Sequence, residues 1–334
     1  AERLCRVAPV EAELLTSTEH PIVLLDRLPA ADLAPEVAPG LGILGVMLAY
    51  TPLQHLLLAE PQAPAVLVMT SGNSSDEPIC TGNDEALTRL RGLADFFLLH
   101  NREIVTRVDD SVARVMAGRP RLLRRARGYS PVPILLRRPT QDILACGAEM
   151  KNSFCLVRRG EAYLSQHIGE LTGPECLDFY RESITHLQGV LEVAPPQVAC
   201  DLHPDYLSSR HARALGLPCS GIQHHHAHVG AVLAEQGLDG PVLGLVLDGT
   251  GYGGDGTVWG GEVLRADRGG STRLGRLALL PLAGGDRAAR EPWRMALALL
   301  HRSLGRAALE PANQPERLRA IDPQRQALVG ELIE

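Results

Sequence analysis

Two hydrophobic rhythms alternate along the chain, one of short apolar runs and one of helical spacing. The apolar run Ala65–Met69 reads as a short buried strand that breaks into a loop of small residues. Asp84–His100 reads as a helix leading into a strand, and Asp110–Tyr129 as a hairpin. From Asp142 to Leu171, short apolar runs separated by turn residues predict a meander of three strands. Cys176–Val193 is amphipathic at helical period, Pro196–Pro204 is a strand ending in a loop, and Asp205–Gly216 is a further helix. Pro218–Gln223 reads as a strand running into a helix that begins near His224, with Val229, Val232 and Leu233 in register. Pro241–Asp267 gives a buried strand, a glycine-rich loop and another strand. Strands and helices in this order predict an α/β chain with helices flanking a mixed sheet. Ser130–Thr140, punctuated by proline, reads as an extended linker. It sets the expected boundary between a first domain, residues 1–138, and a second, residues 139–334.

Length and composition agree with two domains, since 334 residues is about twice the roughly 150 expected per domain. A hydrophobic content of 45% with 22% charged residues supports full cores. The formal net charge of −6 gives no reason to expect a nucleic-acid or membrane coat, and no apolar stretch approaches bilayer length. Seven scattered cysteines without a C-x-x-C pair argue against a disulfide framework and a zinc ribbon, and fit a reducing cytoplasm. Charge is uneven: Ser111–Arg138 holds eight arginines and no acidic residue. Lys151 is the sole lysine.

Four of the twelve histidines fall within His224–His228. If the helix begins near His224, then His224 and His228 stand one turn apart on one face and offer two ring nitrogens to one metal ion. The competing reading is a polar helix start whose histidines are held in hydrogen bonds. Asp248 closes an apolar run and precedes Gly249, Gly251, Gly253, Gly254 and Gly256. With the two histidines it supplies a donor set suited to iron or zinc, with coordination positions open to substrate. A simple glycine hairpin is the alternative. Ser71 and Asn73 flank Gly72 in a second small-residue loop and offer a hydroxyl and an amide to a ligand, or form a simple surface turn. Arg107, Arg125 and Arg127 have the planar fork that matches phosphate oxygens, against a solvated basic edge or, more weakly for want of interleaved aromatics, an RNA-facing patch. Lys151 and Asn152, in a tight turn, suit a nucleotide phosphate or are an exposed turn.

The stretches "TSGNSSDEPI", "HNREIVTRVDDSVAR" and "RRARGYSPVPI" resemble the YrdC-like domain of the hydrogenase maturation carbamoyltransferases of the HypF family. "CGAEMKNSF", "LSQHIGEL", "DLHPDY", "QHHHAH", "DGTGYGGDGTVWGGE" and "GGDRAAREPWR" resemble that family's second domain, which has an actin-like ATPase fold. The resemblance covers essentially the whole chain. It implies formation of carbamoyl-adenylate from ATP, with magnesium, in the YrdC-like domain. Carbamoyl phosphate is the carbamoyl source in such proteins. The actin-like domain then passes the carbamoyl group to the C-terminal cysteine of the partner HypE, on the way to cyanide for [NiFe] hydrogenase. Carried onto this chain, the resemblance puts Ser71 and Asn73 on the adenylate. It puts His224, His228 and Asp248 on a divalent metal at the transfer site. Arg107, Arg125 and Arg127 become phosphate contacts.

Three departures stand out: no acylphosphatase segment, no cysteine-rich zinc-finger pairs, and a YrdC-like domain that starts late. The actin-like domain stops before a second acidic, glycine-rich motif, so a chain with an incomplete second lobe, truncated at both ends, is expected. Such a chain is expected not to complete transfer from carbamoyl phosphate alone. The related O-carbamoyl and tRNA threonylcarbamoyl transferases, and a non-catalytic nucleotide-binding fragment, remain as alternatives.

Overall fold

In the computed structural model, which describes residues 1–75, 77–138 and 140–333, helix α1 (Pro9–Leu15) lays Leu14 and Leu15 against strand β1 (Ile22–Asp26). Val23 and Leu25 point from β1 into this core while their neighbours face out, the two-residue alternation of a half-buried strand. β2 (Ile43–Val46) joins β1 antiparallel. Helix α2 (Pro52–Ala59) starts where Thr51 and Gln54 exchange backbone–side-chain hydrogen bonds of 3.2 Å, with proline at its first position. Helix α3 (Asn83–Arg89) follows, then the expected hairpin, β3 (Val112–Met116) and β4 (Arg119–Arg124). β3 runs parallel to β1, giving the order β2-β1-β3-β4.

Two expected strands do not form. Ala65–Met69 and the end of Asp84–His100 carry no strand, and Val68 and Phe96 stand 73% and 94% exposed. The apolarity of such runs is visible in sequence, but a strand also needs a neighbour to take its N–H and C=O groups. Among the described residues no strand pairs with either run. Asp76, in the loop after the first of these, and Pro139, where the second domain is expected to begin, lie outside the described residues.

The meander is present as β6 (Ile143–Ala145), β7 (Cys155–Arg158) and β8 (Glu161–Leu164). Two residues of the expected linker add to it as β5 (Ile134–Leu135), which pairs with β8. β9 (Val198–Asp201) runs parallel to β6, and β10 (Cys219–Ile222) parallel to β9, so the sheet is mixed, in the order β10-β9-β6-β7-β8-β5. Helix α4 (Pro174–Leu191) buries Cys176, Phe179, Tyr180, Ser183, Ile184, Leu187 and Leu191, a stripe at helical spacing. Its Tyr180 is fully buried and donates its hydroxyl hydrogen to the Cys146 carbonyl at 2.9 Å. Helix α5 (Leu207–Ala214) closes this core with Ala212.

Contacts divide the chain into Ala1–Ile222 with Ala234–Gly237, and Gln223–Leu233 with Leu238–Glu334. The 138/139 boundary read from sequence lies inside the first of these units, between two sheets that keep separate cores. In the second unit, α6 (His224–Gln236) packs Val229 and Leu233 on β11 (Val242–Tyr252) and β12 (Val258–Ala266), against Val246, Leu264 and Ala266. β13 (Ser271–Arg276) completes an antiparallel sheet. β11 is buried on one face only: Leu247, like Leu243, is 71% exposed on the other. Helices α7 (Asp286–Arg290), α8 (Trp293–Leu304), α9 (Glu316–Arg319) and α10 (Pro323–Ile333) follow, with Leu297, Ala308, Leu318 and Val329 as their core. No helix among the described residues is long and apolar enough to cross a membrane.

Candidate metal centre and nucleotide pocket

Alternation along β11 decides where Asp248 goes. Gly244 lies against Val229 of α6, Val246 packs in the same cluster, and Asp248 is the next residue on that face. It meets the start of α6, where His224 Nε2 lies 2.9 Å and His228 Nε2 3.4 Å from one carboxylate oxygen, Oδ2. The donor atoms of these three residues all lie within 4.8 Å of one another. Two imidazole nitrogens a helical turn apart, converging with a carboxylate oxygen, fit a divalent transition metal.

The other two histidines of the run do different work. His225 is fully buried, and its Nε2 donates to the Gly260 carbonyl at 2.7 Å while Nδ1 accepts from Gln223 at 3.2 Å. Burial holds its pKa below the usual histidine value. His226 Nε2 donates to the Asp267 carbonyl at 2.8 Å, and its backbone N–H to Gln223 Oε1 at 2.9 Å, closing the first turn of the helix. So the hydrogen-bonded reading applies to His225 and His226, and the convergent one to His224 and His228.

Past Asp248 the strand pairing slips: Leu247 faces Gly261 and Gly251 faces Trp259, so Asp248–Thr250 stand opposite the single Gly260. Beyond the slip it is Gly251 that faces the helix. A Cβ there would lie 2.5 Å from His225 Cε1 and 3.0 Å from His224 Cβ, so only glycine lets the helix this close. Glu262, buried beneath the loop, accepts two hydrogen bonds of 2.6 Å from Arg273, and its Oε1 also lies 3.3 Å from the Gly260 N–H. Arg273 stacks over Trp259, and hydrogen bonds from Thr257 and then Trp259 pull Asp255 down to about 2. Arg273 lies outside every motif, and the roles of His225, Gly251 and Glu262 within theirs could not be read there, because they depend on partners far away in sequence.

In the first unit, Ser71, Asn73 and Arg107 line one cavity of about 270 Å³ together with Arg124, His167, Glu170 and Phe179. The Asn73 amide donates to the Ser74 and Glu77 carbonyls at 2.9 Å each, while its buried Oδ1 has no protein partner. Arg107 donates to the Ile79 carbonyl at 2.7 Å and to Glu182 at 3.2 Å, over the ring of Phe179. Burial, then Arg124, lowers the pKa of His167.

The remaining candidates are not among the residues lining this cavity. Arg125 donates to the Val132 carbonyl at 3.1 Å, has a buried unpaired Nε, and has its pKa lowered by burial. Arg127 pairs with Asp110 at 2.8 Å, donates to the Glu19 and His20 carbonyls, and stacks on Tyr50. Lys151 takes a left-handed φ of 48° in the β6–β7 turn, with its N–H on Glu170. The buried Asn152 amide ties that turn together through the Cys146 and Ala148 carbonyls.

Family models match three stretches of the chain. Residues 1–126 match the family described as telomere recombination, of the Sua5, YciO and YrdC proteins. Residues 138–235 match the HypF Kae1-like domain, and residues 244–332 the second subdomain of the carbamoyltransferase Kae1-like domain. Carbamoyltransferase HypF2 of Cupriavidus necator is 53% identical over 89% of this chain and 39% of its own length. Carbamoyltransferase HypF of Rhizobium leguminosarum is 49% identical over 94% of this chain and 42% of its own. The crystal structure of full-length HypF in its phosphate- and nucleotide-bound form superposes with a TM-score of 0.92 at 41% identity. That match takes in 99% of this chain and 51% of the other. T. kodakarensis HypF gives 0.91 at 37% identity, over 99% of this chain and 44% of its own. The chain therefore spans about two fifths of the length of the curated relatives it matches. Two domain types in one order, matched end to end by sequence and by structure, make this chain a member of the HypF carbamoyltransferase family.

Proposed function

We propose that the chain serves ATP-dependent carbamoyl transfer in hydrogenase maturation, with adenylation in the Ser71–Asn73 cavity and transfer at His224, His228 and Asp248. The convergence of both Nε2 atoms on Asp248 Oδ2 carries the reading. His224, His228 and Asp248 would hold iron or zinc. Such an ion supplies a Lewis acid for a carbonyl oxygen. The chain's own residues do the rest. His225, bonded to Gly260, fixes the helix start, so the two liganding rings keep their direction without reorganising. In the first cavity, the unpaired Asn73 Oδ1 accepts an N–H of the carbamoyl-adenylate, and Ser71 adds a hydroxyl. Arg107 and Arg124 supply positive charge for the phosphate, with magnesium accompanying ATP. The acceptor is the C-terminal cysteine of HypE: its sulfur attacks the carbamoyl carbon, the bond from that carbon to the phosphate oxygen breaks, and AMP leaves. Seven free cysteines fit action in the cytoplasm.

The test joins two measurements. Equilibrium dialysis with Fe(II) or Zn(II) should show about one ion per chain, lost in His224→Ala/His228→Ala. Mass spectrometry of a peptide ending in the HypE cysteine, incubated with the protein and carbamoyl-adenylate, should show one added carbamoyl group, much reduced in His224→Ala. Unchanged metal content in the double variant would remove the basis of the reading.

A further inference from the structure

Strands β9 and β10 bring two thiols together. Cys200 Sγ and Cys219 Sγ lie 3.6 Å apart, in van der Waals contact. The register pairs Cys219 with Val198, two residues before Cys200, so both side chains stand on the same face of the sheet as diagonal neighbours. The two differ in access: Cys219 is exposed on the edge strand of the six-stranded sheet, and Cys200 is buried beneath it. An accessible thiol beside a sheltered second one is the arrangement of a peroxide-sensitive pair, with one sulfur to be oxidised and one to resolve it.

We propose that Cys200 and Cys219 form a reversible disulfide, a modification site for peroxide-class oxidants. The Cys219 thiol gives up its proton, the thiolate attacks one oxygen of hydrogen peroxide, the O–O bond breaks, and the departing hydroxide takes that proton, leaving a sulfenic acid and water. The Cys200 sulfur then attacks the Cys219 sulfur, the S–OH bond breaks, and a second water leaves with the Cys200 proton. Two thiols and one peroxide thus yield one disulfide and two waters. Closing from 3.6 Å to the roughly 2.05 Å of an S–S bond requires a shift of about 1.5 Å. β10 can supply it, because it is bound to the sheet along one side only. Burial, then the neighbouring Cys219, pushes the Cys200 thiol up to about 11, which keeps it from being oxidised first. Cys146 is the nearest competitor, but it is fully buried and also raised to about 11.

Cleavage at arginine and lysine isolates each sulfur: Glu182–Arg210 carries only Cys200, Ala214–Arg265 only Cys219, and Arg138–Lys151 only Cys146. The intact protein is treated with hydrogen peroxide, free thiols are alkylated, and the digest is mapped without reduction. The expected result is a linked pair of the first two peptides, loss of both their free thiols, and full recovery with dithiothreitol. In Cys219→Ser the linked pair should vanish and Cys200 should remain alkylatable. Linkage through the Cys146 peptide would overturn the proposal. So would oxidation of Cys219 to sulfinic acid with Cys200 still free, or two thiols that both survive peroxide.

Discussion

At Gly251 the place of a methyl group is already taken by the His225 ring and the Cβ of His224. Gly251→Ala should therefore push α6 off the strand, at a cost of about 1–3 kcal/mol for overpacking. It should also loosen the metal site. Thermal unfolding and metal dialysis together check it, and a variant with full metal affinity and an unchanged Tm would show that the helix has room. His225 gives a pH expectation. Its pKa is depressed in the folded chain by burial, as are those of His167 and His211, where burial is again the main cause. The unfolded chain therefore binds more protons below the ordinary histidine value of 6.5. Stability is full above that value and falls as pH drops through it, by up to about 1.4 kcal/mol per pH unit for each such histidine. Tm measured from pH 8 down to 5 should decline steadily below neutrality, and a flat profile would contradict the burial of these rings. The i, i+4 spacing made His224 and His228 legible in sequence. His225 was not, since its partner is a carbonyl 35 residues on, reached only through the fold.

Among elements, the ion pair that joins β12 to β13 is buried where the one between α10 and the end of α7 is exposed. Glu262 is 2% exposed and doubly bonded to Arg273, whereas the pair of Arg325 with Glu291 lies at the surface. Arg273→Leu leaves a buried carboxylate without its counter-charge and should cost about 3–5 kcal/mol. Arg325→Leu should cost no more than about 1 kcal/mol. Chemical denaturation of both variants distinguishes them; equal losses would mean that Glu262 finds water or another donor. Elements with a full periodic stripe, such as α4, or with turn signals on both sides, such as the β6–β7–β8 meander, could be read directly from the residues. β5 could not, because two residues inside a proline-rich segment have no period, and only β8 gives them a place. Ala65–Met69 erred in the opposite direction, having the composition of a strand without a partner to pair with.

For the molecule as a whole, the exposed apolar segments set its behaviour in solution. Val68 and Phe96 stand exposed in one unit, and in the other Leu243, Leu245 and Leu247 line the open face of β11. Light scattering should find association that grows with protein concentration and persists in high salt, and Phe96→Ser with Val68→Ser should reduce it. Salt-sensitive association would point to charge instead. The slip in β11 bears on how the chain tolerates change. Before it, even-numbered residues meet the helix; after it, Gly251 does. The three residues Asp248–Thr250 act as a change of reading frame, and their number matters more than two of their side chains. Removing Thr250 would shorten the arc and turn either the carboxylate or the glycine away from the histidines, whereas Thr250→Ser should pass almost unnoticed. Along this arc, insertions and deletions are the damaging changes and conservative substitutions the mild ones.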